Sequence, residues 1–259
     1  MISSTSNQRV KEVIQLLTSA KARREKQAFI IEGMKLFEEA PAAQIRMVYV
    51  SESCYQRMKN KSKLADVPYE LVTDTVYQRM SDVKTPQGIL CVMEQKKVSL
   101  SELLLSYKGQ DKHILVLEGI QDPGNLGTMI RTAEGAGISF ILADKNTVDV
   151  TNPKVLRSTM GAVFRMPVIY VDDLLDALSL LKEEGVTTYA AHLNGNRNFW
   201  DEEYAKQTAV LIGNEGNGLS KEVSAVSDVL VKIPMEGAVE SLNAAVAASL
   251  LMYEIKRRR

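Results

Sequence analysis

The sequence predicts an α/β protein made of two modules, the second of them built on a mainly parallel sheet. Short apolar runs alternate with segments of helical periodicity along the chain, which is typical of strands alternating with helices. A polar stretch interrupts the alternation over residues 94–112. The charge also changes there: residues 1–97 carry 16 Lys and Arg against 11 Asp and Glu, whereas residues 98–259 carry 16 against 21. Two modules of opposite net charge therefore follow, and the basic one is suited to a polyanion.

The first module is predicted over residues 1–93. Apolar residues recur at helical spacing from Val10 to Leu17, and Phe29–Gly33 is typical of a strand that ends in a turn. The remaining pattern predicts helices at Met34–Ala40, Glu52–Asn60 and Asp74–Met80, and strands at Ile45–Val50, Tyr69–Val72 and Gly88–Met93. Residues 94–112 are predicted to be a linker that contains a short helix at Leu100–Leu105.

The second module is predicted over residues 113–259, from a buried strand at His113–Glu118 to a long helix at Ser241–Lys256. Between them the pattern predicts helices at Leu126–Ala136, Pro153–Thr159, Asp172–Glu184 and Lys221–Val226, and strands at Ser139–Ala143, Pro167–Val171, Val186–Ala191, Ala209–Gly213 and Val229–Ile233. Parallel sheets bind ligands beyond the carboxyl ends of their strands. The candidate site therefore lies in the loops after Glu118, Ile212 and Ile233.

The composition argues against several classes of protein. No apolar run approaches the roughly 20 residues of a membrane-spanning helix, and the N-terminus has no hydrophobic signal core. We therefore expect a cytoplasmic protein without a membrane partner. Cys54 and Cys91 form neither a metal-ligand pair nor a disulfide framework. His113 and His192 provide too little material for a metal-centred or Ser-His-Asp mechanism, so we expect no metal.

The first candidate loop is Gln121–Gly127, which runs into a helix. Asp122-Pro-Gly124 has the residues of a tight turn, and Asn125 is the predicted N-cap of the helix. Arg131 lies one to two turns further, on a segment rich in Gly, Ala and Thr. Small residues let a ligand approach closely, so Arg131 is placed to meet a phosphate or a carboxylate.

The second candidate loop is Leu211–Ser220. Gly213 and Gly218 have the spacing of a phosphate-binding loop, but Leu219 stands where that loop requires a lysine. Glu215 would also repel a polyphosphate, so an enzyme driven by a nucleoside triphosphate is disfavoured. A positively charged sulfonium cofactor would tolerate the carboxylate. A plain glycine-rich turn remains the alternative.

The third candidate loop begins at Ile233-Pro-Met235. Proline cannot continue an interior strand, so the chain leaves the sheet here with its backbone groups available to a ligand. Glu240 or Ser241 is the predicted start of the alanine-rich C-terminal helix. The basic residues 256–259 suit the negative end of the helix dipole, which we favour over a role in RNA binding.

The three loops together resemble a known family. The segments NLGTMIRTA, IGNEGNGLS and IPM followed by SLNAAVA have the order and spacing of the motifs of SpoU/TrmH-type RNA ribose 2′-O-methyltransferases, of the SPOUT superfamily, over about residues 113–256. Residues 1–93, with SN and VK at 6–11, FIIEG at 29–33 and TPQGI at 85–89, resemble the ribosomal-protein-like substrate-binding domain of that family. The resemblance implies a trefoil-knotted catalytic domain, a homodimer formed through it and S-adenosylmethionine as cofactor.

The resemblance also assigns roles to residues. It implies that the cofactor is bound around Leu211, Ile212, Gly213, Gly216, Ile233, Pro234, Met235 and Leu242. It implies a catalytic set of Asn125, Arg131, Glu215, Ser241 and Asn243. A guanidinium stays protonated in proteins and is an improbable base. We therefore expect Arg131 to anchor a phosphate and polarise the ribose hydroxyl, and we leave the proton acceptor open.

The N-terminal basic residues are the candidate RNA contacts: Arg9, Lys11, Lys21, Arg23, Arg24 and Lys26, against only Glu12 and Glu25 in residues 1–30. A solvated helix face is the alternative explanation. The predicted function is methyl transfer from S-adenosylmethionine to a ribose 2′-hydroxyl of RNA. The sizeable accessory domain favours ribosomal RNA, with 23S preferred. A tRNA methyltransferase and a non-catalytic RNA-binding or ribosome-assembly protein are the alternatives.

Overall fold

The computed structural model describes residues 1–258, and Arg259 lies outside the described residues. The α-helices are, in chain order, α1 (Gln8–Thr18), α2 (Ala20–Lys26), α3 (Met34–Glu39), α4 (Glu52–Arg57), α5 (Ser62–Ala65), α6 (Asp74–Met80), α7 (Leu100–Ser106), α8 (Pro123–Ala136), α9 (Pro153–Ser158), α10 (Leu174–Glu183), α11 (Lys221–Val226) and α12 (Ala244–Arg257). The strands are β1 (Ala28–Glu32), β2 (Ile45–Ser51), β3 (Tyr69–Val72), β4 (Ile89–Glu94), β5 (His113–Leu117), β6 (Phe140–Asp144), β7 (Val168–Val171), β8 (Thr187–Ala191), β9 (Arg197–Asn198), β10 (Thr208–Ile212) and β11 (Val229–Lys232). Most lie within a few residues of their predicted positions, whereas α2, α5 and β9 were not predicted.

The chain forms two compact units, residues 1–97 with 151–164, and residues 98–150 with 165–259. The first unit contains a mixed sheet of order β1-β4-β2-β3. In this sheet β4 runs antiparallel to β1 and β2, and β3 runs parallel to β2 at one edge. The core on one face of the sheet joins Ile31, Val48, Val50 and Ile89 to Leu64.

The segment 151–164 belongs to the first unit, although the sequence pattern assigns it to the second module. Leu156 of α9 is fully buried in the same core as the strand residues of that unit. Arg23 also donates from Nε to Oγ1 of Thr151 at 2.9 Å. Residues 151–164 are therefore held in the first unit by the burial of Leu156 and by the buried hydrogen bond between Arg23 and Thr151.

The second unit contains a seven-stranded sheet of order β7-β6-β5-β10-β8-β11-β9. All of its paired strands run parallel, which confirms the predicted fold class. The trefoil knot stays a prediction. Leu100, Leu103 and Leu104 of α7 pack into the core of this unit. The predicted linker therefore contains a helix that is part of a folded unit, and the boundary lies closer to Val98.

Two helix starts differ from the predictions. The N-cap of α8 is Asp122, whose Oδ1 accepts from the backbone N–H of Asn125, and Pro123 occupies the first turn. The N-cap of α12 is Asn243, whose Oδ1 accepts from the backbone N–H groups of Ala245 and Val246. In both cases a polar side chain two or three residues away from the predicted position satisfies free N–H groups of the helix.

Within residues 1–258, no helix combines the length and the apolar composition that a bilayer span requires.

Candidate active site

A cavity of about 470 Å³ lies in the second unit, at the carboxyl ends of β8, β10 and β11. Its volume falls within the range of small-molecule sites, roughly 300–1,000 Å³. Three segments line it: Ala191–Asn194, Ile212–Leu219 and residues 233–247, the last with Ile233, Met235, Glu240, Ser241, Leu242, Ala244 and Ala247. The cavity thus occupies the position at which parallel sheets bind ligands.

Gly213 follows β10 at a point where two parts of the chain approach each other closely. A Cβ atom on this residue would lie 2.1 Å from the carbonyl carbon of Gly218 and 2.1 Å from the nitrogen of Leu219. Asn214 and Gly218 exchange two backbone hydrogen bonds, of 3.0 and 2.9 Å, and so close the loop. Only glycine fits at position 213, because the backbone of Gly218 and Leu219 occupies the space that a side chain would need.

Asn214 organises the loop after β10, a role that the sequence pattern did not indicate. Its Oδ1 accepts from the backbone N–H groups of Gly216 and Asn217, at 2.9 and 3.1 Å. Its Nδ2 donates to the carbonyl of Gly119 at 2.7 Å. The side chain therefore shapes its own loop and ties it to the loop after β5. The role could have been inferred locally, because an asparagine side chain in a turn often forms a hydrogen bond with the backbone two residues further on.

Glu215 accepts hydrogen bonds from three donors of the loop that begins α8. Its Oε2 accepts from the backbone N–H of Gln121 at 3.1 Å, and its Oε1 accepts from the backbone N–H of Asp122 at 3.1 Å and from Nδ2 of Asn125 at 3.0 Å. Burial would raise the pKa of the Glu215 carboxyl, but the hydrogen bonds from Asn125, Asp122 and Gln121 outweigh it and lower the pKa. The carboxylate is therefore held in its charged form.

Asn125 connects this carboxylate to the third loop. Its Oδ1 accepts from Nδ2 of Asn243 at 2.9 Å, while its own Nδ2 donates to Glu215. Because the Oδ1 of Asn243 caps α12, one relay of side chains joins the starts of α8 and α12 to the loop after β10. The three loops that the sequence indicated thus meet at one place.

Arg131 is exposed on α8 and is not among the residues that line the cavity. Its side chain forms no hydrogen bond or salt bridge with another residue in the described part of the chain. An exposed guanidinium without a protein partner is available to an anionic ligand.

Most of the residues assigned by resemblance lie at the cavity. Those that line it are Ile212, Gly213, Glu215, Gly216, Ile233, Met235, Ser241 and Leu242. Asn125 and Asn243 do not line the cavity, but hydrogen bonds connect them to Glu215, which does. Leu211 and Pro234 do not line it either. The side chain of Leu211 is fully buried in the core beneath the sheet.

His192, Leu193 and Asn194 line the cavity without having been predicted. The backbone N–H of Asn194 donates to Nδ1 of His192 at 3.1 Å, so Nδ1 acts as a hydrogen-bond acceptor. These residues follow β8, whose carboxyl end lies beside those of β10 and β11. The rule that parallel sheets bind ligands beyond the carboxyl ends of their strands also applies to the loop after β8. The sequence of that loop, however, resembles no motif.

The predicted RNA contacts on the first unit differ in their availability. Arg23 is 4% exposed and donates to Thr151 and to the carbonyl of Leu16, so its prediction as a surface phosphate contact is corrected. Salt bridges join Arg9 to Glu70, Lys21 to Glu25 and Lys26 to Glu12. Lys11 and Arg24 are exposed, and their side chains have no partner among residues 1–258.

Comparison with known proteins gives two family matches. The model of the SpoU rRNA methylase family matches residues 112–253, and that of the MRM3-like substrate-binding domain matches residues 7–91. The chain is 32% identical to the 23S rRNA (guanosine(2553)-2′-O)-methyltransferase RlmP of Bacillus subtilis, over 98% of both chains. It is also 32% identical to an uncharacterised tRNA/rRNA methyltransferase of Synechocystis, over 100% of this chain and 94% of the relative.

Solved structures agree with these matches. An AdoMet-bound rRNA methyltransferase from Sinorhizobium meliloti is 28% identical, with a TM-score of 0.86 over 99% of this chain and 97% of that one. The SpoU methyltransferase AviRb from Streptomyces viridochromogenes, in complex with AdoMet, has a TM-score of 0.85 over 97% and 98%; at 23% identity it shows the fold alone.

Proposed function

The chain belongs to the SpoU rRNA methylase family, and from this membership we propose that its substrate is a ribose 2′-hydroxyl of 23S ribosomal RNA. It is an S-adenosylmethionine-dependent RNA methyltransferase. The observation that supports the proposal most is the side-chain relay of Asn125, Glu215 and Asn243, which brings the three loops together beside the cavity. We assign RNA binding to the first unit, with residues 1–93, and catalysis to the second, with residues 113–259; α7, within the predicted linker 94–112, packs into the second unit.

The residues at the cavity fit S-adenosylmethionine. Apolar side chains of Ile212, Ile233, Met235 and Leu242 suit the adenine ring, and Gly213 and Gly216 line the same cavity without side chains. When bound, the cofactor supplies an electrophilic methyl group on its sulfonium, so we expect the transfer to need no metal. These residues would hold it, together with the loop that carries His192.

The protein contributes mainly by positioning the acceptor. A displacement at a methyl group requires the attacking oxygen, the methyl carbon and the leaving sulfur to be aligned, so rigid loops lower the barrier. Glu215 is engaged by three donors and is therefore a positioning residue for the loop before α8. We assign Arg131 to the RNA phosphate next to the acceptor, where its charge also polarises the hydroxyl.

We further propose a homodimer formed through the catalytic domain. On α12, Val246, Leu250 and Tyr253 are 48%, 38% and 50% exposed, and they follow one another at helical spacing along a groove that Phe199 also lines. A second copy of the chain would cover this apolar stripe. From a ribosomal RNA substrate we also infer a cytoplasmic location. Light scattering should give twice the mass of one chain, and Val246→Glu should give that of the monomer.

The substrate assignment is tested by mapping ribose methylations in total RNA from cells with and without the gene. We expect one 23S site to be lost and then restored by the wild-type gene. Loss of a tRNA site instead would favour the alternative of a tRNA methyltransferase. Unchanged RNA together with no calorimetric binding of S-adenosylmethionine would favour the non-catalytic RNA-binding protein.

A further inference from the structure

Two tyrosines of the first unit form a parallel aromatic pair at the edge of its sheet. Tyr55 lies in α4 and Tyr69 begins β3; their ring centroids are 6.2 Å apart and their planes differ by 17°. Tyr55 packs against the hydrophobic core, whereas Tyr69 is 42% exposed. Because β3 is an edge strand, Tyr69 holds an aromatic ring at the surface in a fixed orientation.

The chain between these tyrosines carries exposed cations. The Nζ of Lys61 lies 3.9 Å from the ring centroid of Tyr55, which is the geometry of a cation–π contact. Arg57 and Lys59 are exposed in the same segment. None of these three cations forms a salt bridge with another of the described residues. We call Tyr55, Arg57, Lys59, Lys61 and Tyr69 the aromatic–basic patch.

Two carboxylates near the patch have other partners, whereas Asp66, between the tyrosines, is exposed and forms no salt bridge with the described residues. Glu70 pairs with Arg9, and Asp74 accepts from Oγ of Ser53 at 2.7 Å. The predicted N-terminal basic residues differ from the patch, because most of them are paired or buried. Cations without a salt-bridge partner are available to phosphate, whereas paired ones must first give up that partner.

We propose that the aromatic–basic patch binds a single-stranded segment of the RNA substrate, with one base stacked on Tyr69 and the flanking phosphates held by Arg57, Lys59 and Lys61. The proposal rests on the proposed function for the nature of the ligand. Every base has a π-face, so stacking on an aromatic ring tolerates any sequence, while neighbouring cations follow the backbone. A protein partner fits less well, since a single exposed ring among cations offers no extended apolar surface.

The test is a titration of the full-length protein into a fluorescein-labelled oligoadenylate of about ten nucleotides, a length within the usual site sizes for single strands. We expect Tyr69→Ala to weaken binding by about 5- to 150-fold, the loss that one base–aromatic stack supports. Tyr69→Phe is the matched control, because it keeps the ring and removes the hydroxyl, and it should bind like the wild type. Unchanged affinity in Tyr69→Ala, or an equal loss in Tyr69→Phe, would overturn the proposal.

The cations are tested through the salt dependence of the same titration. Lys61→Ala should reduce the slope of log affinity against log salt by about 0.7, and the charge-preserving Lys61→Arg should leave it unchanged. Thermal melting and calorimetric binding of S-adenosylmethionine establish that each variant is folded. An unchanged slope in Lys61→Ala would remove the cations from RNA binding.

Methylation of 23S rRNA transcripts by the wild type distinguishes failure of the proposed substrate from failure of the proposed aromatic–basic patch. If the wild type methylates 23S rRNA while Tyr69→Ala binds the oligoadenylate normally, the patch alone is refuted. If the wild type neither binds nor methylates 23S rRNA, the proposed substrate is refuted as well. A Tyr69→Ala variant that keeps its RNA affinity but loses binding to a ribosomal protein would assign the patch to a protein partner and also overturn the proposal.

Discussion

Asn243 donates a hydrogen bond from Nδ2 to Oδ1 of Asn125 at 2.9 Å, although the two residues are 118 positions apart in the chain. Both amides are fully oriented, because Asn125 in turn donates to Glu215 and the Oδ1 of Asn243 accepts from the first turn of α12. A carboxylate, two amides and a helix start therefore form one polar network, whose members are expected to depend on one another.

The members of this polar network should stabilise the fold cooperatively. Asn125→Ala and Asn243→Ala each remove a member of the network, so their effects on the free energy of unfolding should differ from additivity by about 0.5–3 kcal/mol. Asn243→Ala alone should cost about 1 kcal/mol through the lost N-cap. Urea denaturation of the single and double variants measures the coupling. The control pairs Asn243→Ala with Asn196→Ala, whose side chain has no hydrogen bond in residues 1–258, and should be additive. Additivity in both cycles would show that the Asn125–Asn243 contact contributes no coupling free energy.

A pH dependence follows from Glu215, whose pKa lies below its ordinary value of 4.5 because its hydrogen-bond donors favour the charged form. A carboxyl group with a depressed folded-state pKa stabilises the protein above its unfolded-state pKa, and that contribution is lost as the pH falls through the folded-state pKa. The difference in free energy of unfolding between wild type and Glu215→Gln should therefore be constant at neutral pH and shrink in acid below 4.5. A difference that persists unchanged in strong acid would contradict a charged Glu215.

Arg131→Ala should abolish methyl transfer while leaving the cofactor affinity unchanged in calorimetry, because the guanidinium is exposed and lies outside the cavity lining. Arg131→Lys keeps the charge but loses the planar fork of donors, so we expect intermediate turnover. Single-turnover assays at saturating cofactor separate chemistry from binding. Undiminished turnover in Arg131→Ala would remove this residue from the mechanism.

Gly213→Ala should damage the cofactor site, since the new methyl group would meet backbone atoms of Gly218 and Leu219 at 2.1 Å. Backbone atoms cannot turn aside as a side chain can, so the loop must shift or the fold must loosen. Calorimetry should show a large loss of affinity for S-adenosylmethionine, and thermal melting should show a lower Tm. Gly237→Ala is the control for folding, because its Cβ would meet no atom within 4 Å and its Tm should be unchanged. Equal behaviour of the two variants would refute the close approach at Gly213.

Arg23→Ala should destabilise the protein without changing RNA binding. The variant leaves buried acceptors at Thr151 and Leu16 without their donor, which costs about 1–3 kcal/mol. The salt slope of RNA binding should stay as in the wild type. A stable Arg23→Ala with weakened RNA affinity would contradict the buried role.

Combined replacement of Lys11 and Arg24, both exposed, should lower the salt slope of RNA binding if the N-terminal basic residues contact phosphates.

Local patterns in the chain were sufficient for the α/β class, the parallel sheet and the candidate loops after β5, β10 and β11. Apolar periodicity records which face of an element is buried, and Gly213 and Pro234 mark positions where the backbone must turn or leave the sheet. The cofactor class and the family came from the resemblance of these loops to known motifs, and the comparisons confirm both.

Other features depend on partners far away in the chain and could not be read from local patterns. The side chain of Asn125 does not cap α8 but is hydrogen-bonded to Glu215 and Asn243, which lie 90 and 118 residues further on. Arg23 is buried because residues 151–164 fold back onto the first unit. His192 reaches the cavity because β8 lies beside β10 in the sheet. Local sequence thus specifies the elements and their turns, whereas long-range packing and hydrogen bonding choose which side chains meet, and the network around Asn125 arises from that choice.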